Sequence, residues 1–133
     1  MSTVLGIVCE YNPFHNGHLY HIQESKKQTG AQYVVCIMTG NFTQRGETSL
    51  INKWTKAQMA LLNGADIVIE LPTVYSISSA ENFAQGAIKI LDSLKIVDTI
   101  SFGTETQDFE ALKNITSVSV SYTHLRAHET SLH

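Results

Sequence analysis

Two histidines three residues apart, His15 and His18, bracket Asn16 and Gly17 directly after a short apolar run, Val4 to Cys9. Imidazoles at this spacing supply N–H donors that can become cationic, and a glycine between them lets a ligand approach the backbone. The chemistry that suits such a set is anion binding. A helix starting near Asn16-Gly17-His18 would present unpaired backbone N–H groups and the positive end of its dipole, both favourable to phosphate. The bland alternative is a pair of ordinary capping or surface histidines; the strand, loop and helix context favours phosphate contact. His21 continues the three-residue spacing, but it reads as a structural or surface residue rather than a zinc ligand, and no metal ligand is assigned.

The elements that must hold these groups follow from the apolar pattern. Val4 to Cys9 has the β-branched character of a strand buried on both faces. Pro13 fixes its own φ and pushes Asn12 towards extended backbone, so Glu10-Tyr11-Asn12-Pro13 forms a shaped exit. The helix that follows carries Leu19 and Ile22 on one stripe and stops at Gly30. Tyr33 to Met38 is a second strand, and a polar loop from Asn41 to about Leu50 is a candidate lid. Lys53 to Asn63 is a helix expected to bury Trp54, Ala57, Leu61 and Leu62, with Lys53 and Lys56 on its wet face. Ile67 to Leu71 is a third strand, stopped by Pro72. Ser78 with Glu81 matches a capping box for a helix whose Phe83, Ala87, Ile90, Leu91 and Leu94 recur at helical spacing. Ile96 to Phe102 is a fourth strand, interrupted at Asp98, and Asp108 to Ile115 starts a last helix.

Strands alternating with helices of this length imply βαβ units, hence an α/β fold with a Rossmann-like parallel sheet and right-handed crossovers. Parallel strands send Glu10 to Asn16, Thr39 to Gly46, Pro72 to Tyr75 and Gly103 to Glu105 to one edge, where open α/β sheets bind ligands. The unusual polar residues meet there by topology. Glu10 either orients the loop or contacts a ligand. Arg45 is either a phosphate or acetate contact or an exposed solubilising arginine. Glu70 either faces the site or caps a neighbouring helix. Trp54 and Phe83 read as core rather than as nucleobase platforms.

The string His15-Asn16-Gly17-His18 after a first strand resembles the HxGH signature of the nucleotidyltransferases. The longer run from Glu10 to Leu19, EYNPFHNGHL, resembles one family in particular, the bacterial tRNA(Met) cytidine acetate ligases. Further matches are Gly40-Asn41-Phe42, Gln44 to Glu47, Lys53-Trp54, Gly64-Ala65-Asp66, Ile69 to Pro72, Ser79-Ala80-Glu81 and Phe102 to Glu105. The likeness spans roughly residues 3 to 115. It implies that ATP is a substrate, that acetate attacks its α-phosphate to give acetyl-adenylate, and that the acetyl group passes to N4 of the wobble cytidine of elongator tRNA(Met). It further implies His15 and His18 as catalytic residues. The implied ATP-binding set is Val8, Cys9, Glu10, Tyr11, Asn12, Pro13, Phe14, His15, Asn16, Gly17, His18, Leu19 and Gly103. Mg²⁺ is expected with the triphosphate, its ligands unassigned. Another adenylyltransferase of the HxGH group, or a truncated non-catalytic ATP-binding module, is the alternative.

Composition sets the outer frame. The chain has 133 residues, 43% of them hydrophobic, and a net charge of −3 from nine Lys and Arg against twelve Asp and Glu. No run reaches the length of a membrane span and no secretory signal is legible, so the expected place is the cytoplasm, with no membrane partner. Without a basic run, most of the tRNA contact is expected in regions absent from this chain. Cys9 and Cys36 sit in apolar runs and read as buried free thiols, with a bridge left open. Residues 1–118 read as the N-terminal part of a nucleotidyltransferase-like ATP-binding domain, with truncation of that domain expected. From Ser119 the text SVSYTHLRAHETSLH drops the sheet pattern and resembles translated adapter sequence, so 119–133 is set apart as an artefactual or disordered tail. His124 and His128, spaced as a helical metal pair, fall within it.

Overall fold

The computed structural model describes residues 3–11, 15–43, 46–77, 79–102 and 121–124. In chain order the elements are β1 (Val4–Cys9), α1 (Asn16–Thr29), β2 (Tyr33–Thr39), α2 (Lys53–Leu62), β3 (Ile67–Leu71), α3 (Thr73–Ser76), α4 (Ala80–Ser93), β4 (Thr99–Phe102) and β5 (Ser121–His124). The strands form one sheet in the order β3-β2-β1-β4-β5, and each neighbouring pair is parallel. The expected parallel α/β architecture is therefore present.

Strand order explains where the helices lie. The chain moves outward from β1 to β2 to β3, so right-handed crossovers put α1 and α2 on one face. It then returns past β1 to β4, which puts α4 on the other. The two cores follow this division. Phe83, Ala84, Ala87, Ile88 and Leu91 of α4 pack on Val8, Val35, Ile37, Leu71 and Ile100. On the opposite face Ile22 of α1 and Ala60 of α2 cover Leu5, Ile7, Val34, Cys36 and Met38. β1, with a helix layer on each side, buries its four central residues, as its unbroken apolar run requires. The reversal of direction falls between β1 and β4, which makes their C-terminal ends the natural crevice for a ligand.

Helix ends are set by local hydrogen bonds. Gly30 closes α1 at φ 68°, a left-handed conformation that glycine adopts without strain. Asn52 caps α2 by accepting from Thr55 N at 2.9 Å. The cap of α4 is Ser79, which accepts from Asn82 N at 3.2 Å, one residue later than the expected Ser78-Glu81 pair. Ser78 itself lies outside the described residues. At the opposite edge of the sheet Asp98 takes the Val4 N–H at 2.8 Å, so β4 begins after it, at Thr99.

The buried face of α2 differs from expectation. Lys56 and Ala60 are buried there, with Ala57 packed alongside, while Trp54, Leu61 and Leu62 are 76%, 46% and 82% exposed. Small residues let the helix backbone lie close to β2 and β3, and that rotation turns the large side chains outward. Of the two lysines expected on its wet face, Lys56 is buried, whereas Lys53 stays partly exposed in an ion pair. Trp54 is the single tryptophan of the chain. Its fluorescence is expected at the wavelength of indole in water and to be quenched by iodide. A blue-shifted, iodide-resistant emission would contradict this orientation of α2.

β5 is a second departure, since the sequence gives no strand beyond residue 118. β4 would otherwise be an edge whose free N–H and C=O groups can pair with any extended segment. Ser121–His124 takes that place in register with Thr99–Phe102. The pairing is made by backbone groups and asks little of the side chains. The helix expected over Asp108 to Ile115, together with His128, lies outside the described residues.

Candidate functional site

At the C-terminal end of β1 the chain turns through Tyr11, which has φ 50° and is 1% exposed. A left-handed tyrosine is strained unless its side chain is well held. Here the ring is buried on the α1 face, with its hydroxyl 3.9 Å from Cys36 Sγ and its centroid 4.8 Å from that of His18. Tyr11 thus supports His18 from beneath. Burial, followed by the adjoining Cys9 and Cys36, pushes the Tyr11 hydroxyl well above the ordinary phenol range. Both cysteines are free, Cys36 buried and Cys9 partly buried. Burial first, and then Cys36, raises the Cys9 thiol. These groups therefore serve as packing and weak donors rather than nucleophiles.

His15 is the N-cap of α1, a position where an oxygen side chain is usual. Its Nδ1 accepts from Gly17 N at 3.0 Å, and His18 Nδ1 in turn accepts from His15 N at 3.1 Å. The two rings stack with centroids 3.7 Å apart and planes at 22°. Since both Nδ1 atoms accept backbone protons, the neutral form of each ring carries its proton on Nε2. The capping pattern thereby assigns both Nε2 atoms as N–H donors. The stacked rings carrying them sit at the start of α1, where the dipole also favours an anion.

Of the two histidines read as donors that can become cationic, His18 is held neutral near pH 7. Burial, then His15, then His21 lower His18 from 6.5 to about 4. It is a neutral donor at pH 7. Folded His18 then takes up its proton only near pH 4, whereas the unfolded residue does so near 6.5. The unfolded state binds more protons in that window, so this contribution to stability is fully present above pH 6.5 and is lost as pH falls towards 4. A His18→Asn variant, whose side-chain oxygen can replace Nδ1 as acceptor for His15 N–H, should show a flatter fall in melting temperature between pH 6.5 and 4. Parallel curves for the two proteins would contradict the depressed value.

His21 stands apart from this pair, as the structural reading expects. It is 6% exposed, and its Nε2 lies 3.0 Å from Ser101 Oγ, which is also 3.0 Å from Ser25 Oγ. Ser25 and Ser101 are fully buried. This polar cluster joins α1 to β4 directly below the crevice. Sequence reasoning missed Ser25 and Ser101, although the three-residue and four-residue steps from Ile22 and His21 put Ser25 on the same face of α1 as those two residues.

The remaining site residues divide by element. Val8 and Cys9 end β1; Val8 commits its side chain to the core under α4, which leaves its backbone for a ligand. Glu10 follows, partly buried, and Asn16, Gly17 and Leu19 lie in the first turn of α1 beside His18. Asn12, Pro13, Phe14, Arg45 and Gly103 lie outside the described residues. Phe102, on β4, is the backbone partner of Val8.

The loop between β2 and α2 is a small hairpin with Phe42 bridged to Thr48. Ser49 N donates to Asn41 O and Thr43 N to Glu47 O, both at 2.8 Å. Asn41 Oδ1 also accepts from Lys53 N at 3.0 Å, which fixes the loop to the start of α2. Glu70 pairs with Lys53 Nζ at 3.0 Å, which ties β3 to the side chain of the first residue of α2 while its carboxylate also lines the cavity at this edge. Its carboxylate lies against Gly40, where a Cβ would collide with it. A cavity of about 150 Å³ opens here between Met38, Thr39, Lys53, Trp54, Val68 and Glu70. Among the described residues no group of three His, Cys, Asp or Glu side chains is placed to hold a metal ion. No helix among them is long and apolar enough to cross a membrane.

Comparison with known proteins agrees with the fold. The tRNA(Met) cytidine acetate ligase of Caldanaerobacter subterraneus subsp. tengcongensis is 60% identical over 114 residues, covering 86% of this chain and 28% of that protein. Its namesake from Acetivibrio thermocellus is 56% identical over 117 residues, covering 88% and 28%. The chain thus spans little more than a quarter of the curated relatives it matches. The crystal structure of Thermotoga maritima TmcAL bound with alpha-thio ATP superposes with a TM-score of 0.75 at 46% identity, covering 81% of this chain and 26% of that one. A lipopolysaccharide core biosynthesis protein of Thermoplasma volcanium, with a TM-score of 0.63 and 16% identity, shares the fold. The profile of the HIGH Nucleotidyl Transferase family matches residues 1–131, and the chain belongs to that family.

Proposed function

We propose that this chain is the ATP-binding, acetate-activating part of a tRNA(Met) cytidine acetate ligase. The observation that carries the reading is the capped His15-Asn16-Gly17-His18 turn at the switch point between β1 and β4, in a chain 60% identical to a ligase of that name. A carboxylate oxygen of acetate attacks the α-phosphorus of ATP, the bond from that phosphorus to the bridging oxygen breaks, and pyrophosphate leaves. The acetate oxygen is already a nucleophile, so the protein has mainly to position the reactants and stabilise charge. The two Nε2–H groups and the backbone N–H groups opening α1 donate to the phosphates. The loop from Asn41 to Leu50 closes over the adenylate and limits its loss to water, and Arg45, in the same stretch of sequence, contacts phosphate or acetate.

In the second step N4 of the wobble cytidine attacks the acetyl carbonyl carbon, AMP departs and the nitrogen loses a proton. A chain with net charge −3 is poorly suited to grip tRNA unaided, so most of that surface belongs to the portion of the relatives that this chain does not span. Mg²⁺ accompanies ATP as its counter-ion, keeping water ligands as that ion commonly does. No step is routed through a protein-bound metal. The work is assigned to residues 1–118, in the cytoplasm, with no part for the tail 119–133.

The test is acetate-dependent exchange of labelled pyrophosphate into ATP. Exchange by this chain is expected, since its site houses the first half-reaction. Thermal stabilisation by ATP with no exchange would instead make the chain a nucleotide-binding module, and pyrophosphate release driven by another acceptor without acetate would make it a different adenylyltransferase.

A further inference from the structure

Lys56 is 0% exposed, yet it sits in the first turns of α2, where the helix dipole disfavours a cation. Burying an ammonium is costly unless close partners compensate it. Among the described residues its Nζ has one hydrogen bond, to Thr39 Oγ1 at a long 3.4 Å. Thr39 is the last residue of β2 and is itself fully buried. The ammonium therefore lies at the ligand edge of the sheet, on the face shared with α1. Burial lowers its pKa from the usual lysine value, and the nearby carboxylates of Glu10 and Glu70 oppose that pull by favouring the protonated form. Packing alone does not account for a lysine here, because an apolar side chain of the same length would fill the space without desolvating a charge.

The electrostatics of the edge supply a reason. His18 is neutral at pH 7, and the charge of Lys53 is taken by Glu70 at 3.0 Å. Glu10 adds a second carboxylate where β1 ends. With Lys53 alone against Glu10 and Glu70 the described edge would be net negative, a poor surface for a polyphosphate. Lys56 offsets one of these carboxylates. Being buried, its charge is weakly screened by solvent and salt, so it acts across several ångströms without touching a ligand.

We propose that Lys56 is the fixed internal cation that tunes this edge for phosphate, a positioning residue acting through its field on a ligand bound at the α1 N-terminus. This rests on the ATP-site reading above. The ligand class is a nucleoside polyphosphate, and the effect must grow with the number of phosphates.

The experiment measures dissociation constants of ATP, AMP and adenosine by calorimetry for the wild-type chain, Lys56→Met, Lys56→Arg and Lys56→Gln, each checked by thermal melting. Lys56→Met is expected to weaken ATP about tenfold or more, AMP less, and adenosine within about twofold, in keeping with a charge acting in a medium of intermediate dielectric. Lys56→Arg should keep the ATP-to-adenosine ratio of the wild type. Should the methionine variant fail to fold, Lys56→Gln against Lys56→Arg makes the same comparison. Equal losses for ATP and adenosine, or an unchanged ratio, would overturn the role of Lys56 and leave it a packing residue. A folded wild-type chain that binds neither ATP nor adenosine would overturn the nucleotide-site reading itself.

Discussion

Replacement of His18 by alanine should abolish acetate-dependent pyrophosphate exchange while the chain stays folded. The side chain has two separable duties. Nδ1 accepts the His15 N–H at 3.1 Å and so helps close the cap of α1, and the Nε2 edge is the donor proposed for the phosphates. Loss of a preorganised donor to a transferring group typically costs about 10²–10³ in rate. Loss of an exposed cap costs only about 1 kcal/mol in stability. Alanine removes both duties. Asparagine keeps an acceptor where Nδ1 stood and should retain the wild-type melting temperature at pH 7, yet still lose exchange by the same two to three orders of magnitude. Glutamine, whose amide nitrogen reaches towards the Nε2 position, should recover part of the rate. Unchanged exchange in the folded asparagine variant would remove His18 from the mechanism and leave it a helix cap.

The second large effect is expected at Ser101, which touches no proposed ligand. Its hydroxyl is shared by His21 Nε2 and Ser25 Oγ, each at 3.0 Å, in a region where all three residues are buried. Buried polar groups deprived of a partner cost about 1–3 kcal/mol each, against a gain near 1 kcal/mol for an ordinary hydrogen bond. Ser101→Ala withdraws the partner common to two groups, so a loss of about 2–4 kcal/mol in urea unfolding is expected. Much of a small domain's total stability is of that size. Since the cluster ties α1 to β4, the variant should also loosen the first turn of α1 relative to the β4 end of the crevice, and exchange should fall even where the protein remains folded. An unfolding midpoint equal to that of the wild type would show that the cluster carries no such energy.

The fold was legible because its signals are local and repeated. Unbroken apolar runs marked β1, β2 and β3, and Gly30 marked the end of α1, since a left-handed cap at φ 68° is nearly reserved for glycine. Alternation of strand and helix then implied a parallel sheet and one ligand edge. The α2 helix was misread because spacing gives a periodic stripe but not which stripe meets the sheet. Trp54, Leu61 and Leu62 form a plausible apolar face by type, while Ala57 and Ala60 form the one that allows close approach. β5 was not legible for a related reason: an edge accepts a backbone, and backbone hydrogen bonding has no side-chain signature.

What the sequence alone determined is the order of elements, the strand, loop and helix that bring His15-Asn16-Gly17-His18 to a helix start, and the gathering of polar residues at one edge. These depend on chirality, side-chain periodicity and the conformations of glycine and proline, which operate over a few residues. The tertiary structure alone decided the chemical state of the groups gathered there. It placed Tyr11 under His18, stacked His15 on His18 so that burial and a neighbouring ring keep His18 neutral, linked His21 to Ser101 across eighty residues, and sank Lys56 wholly beneath the edge. Desolvation and charge interaction act through space between segments distant in the chain, and no spacing along one segment encodes them.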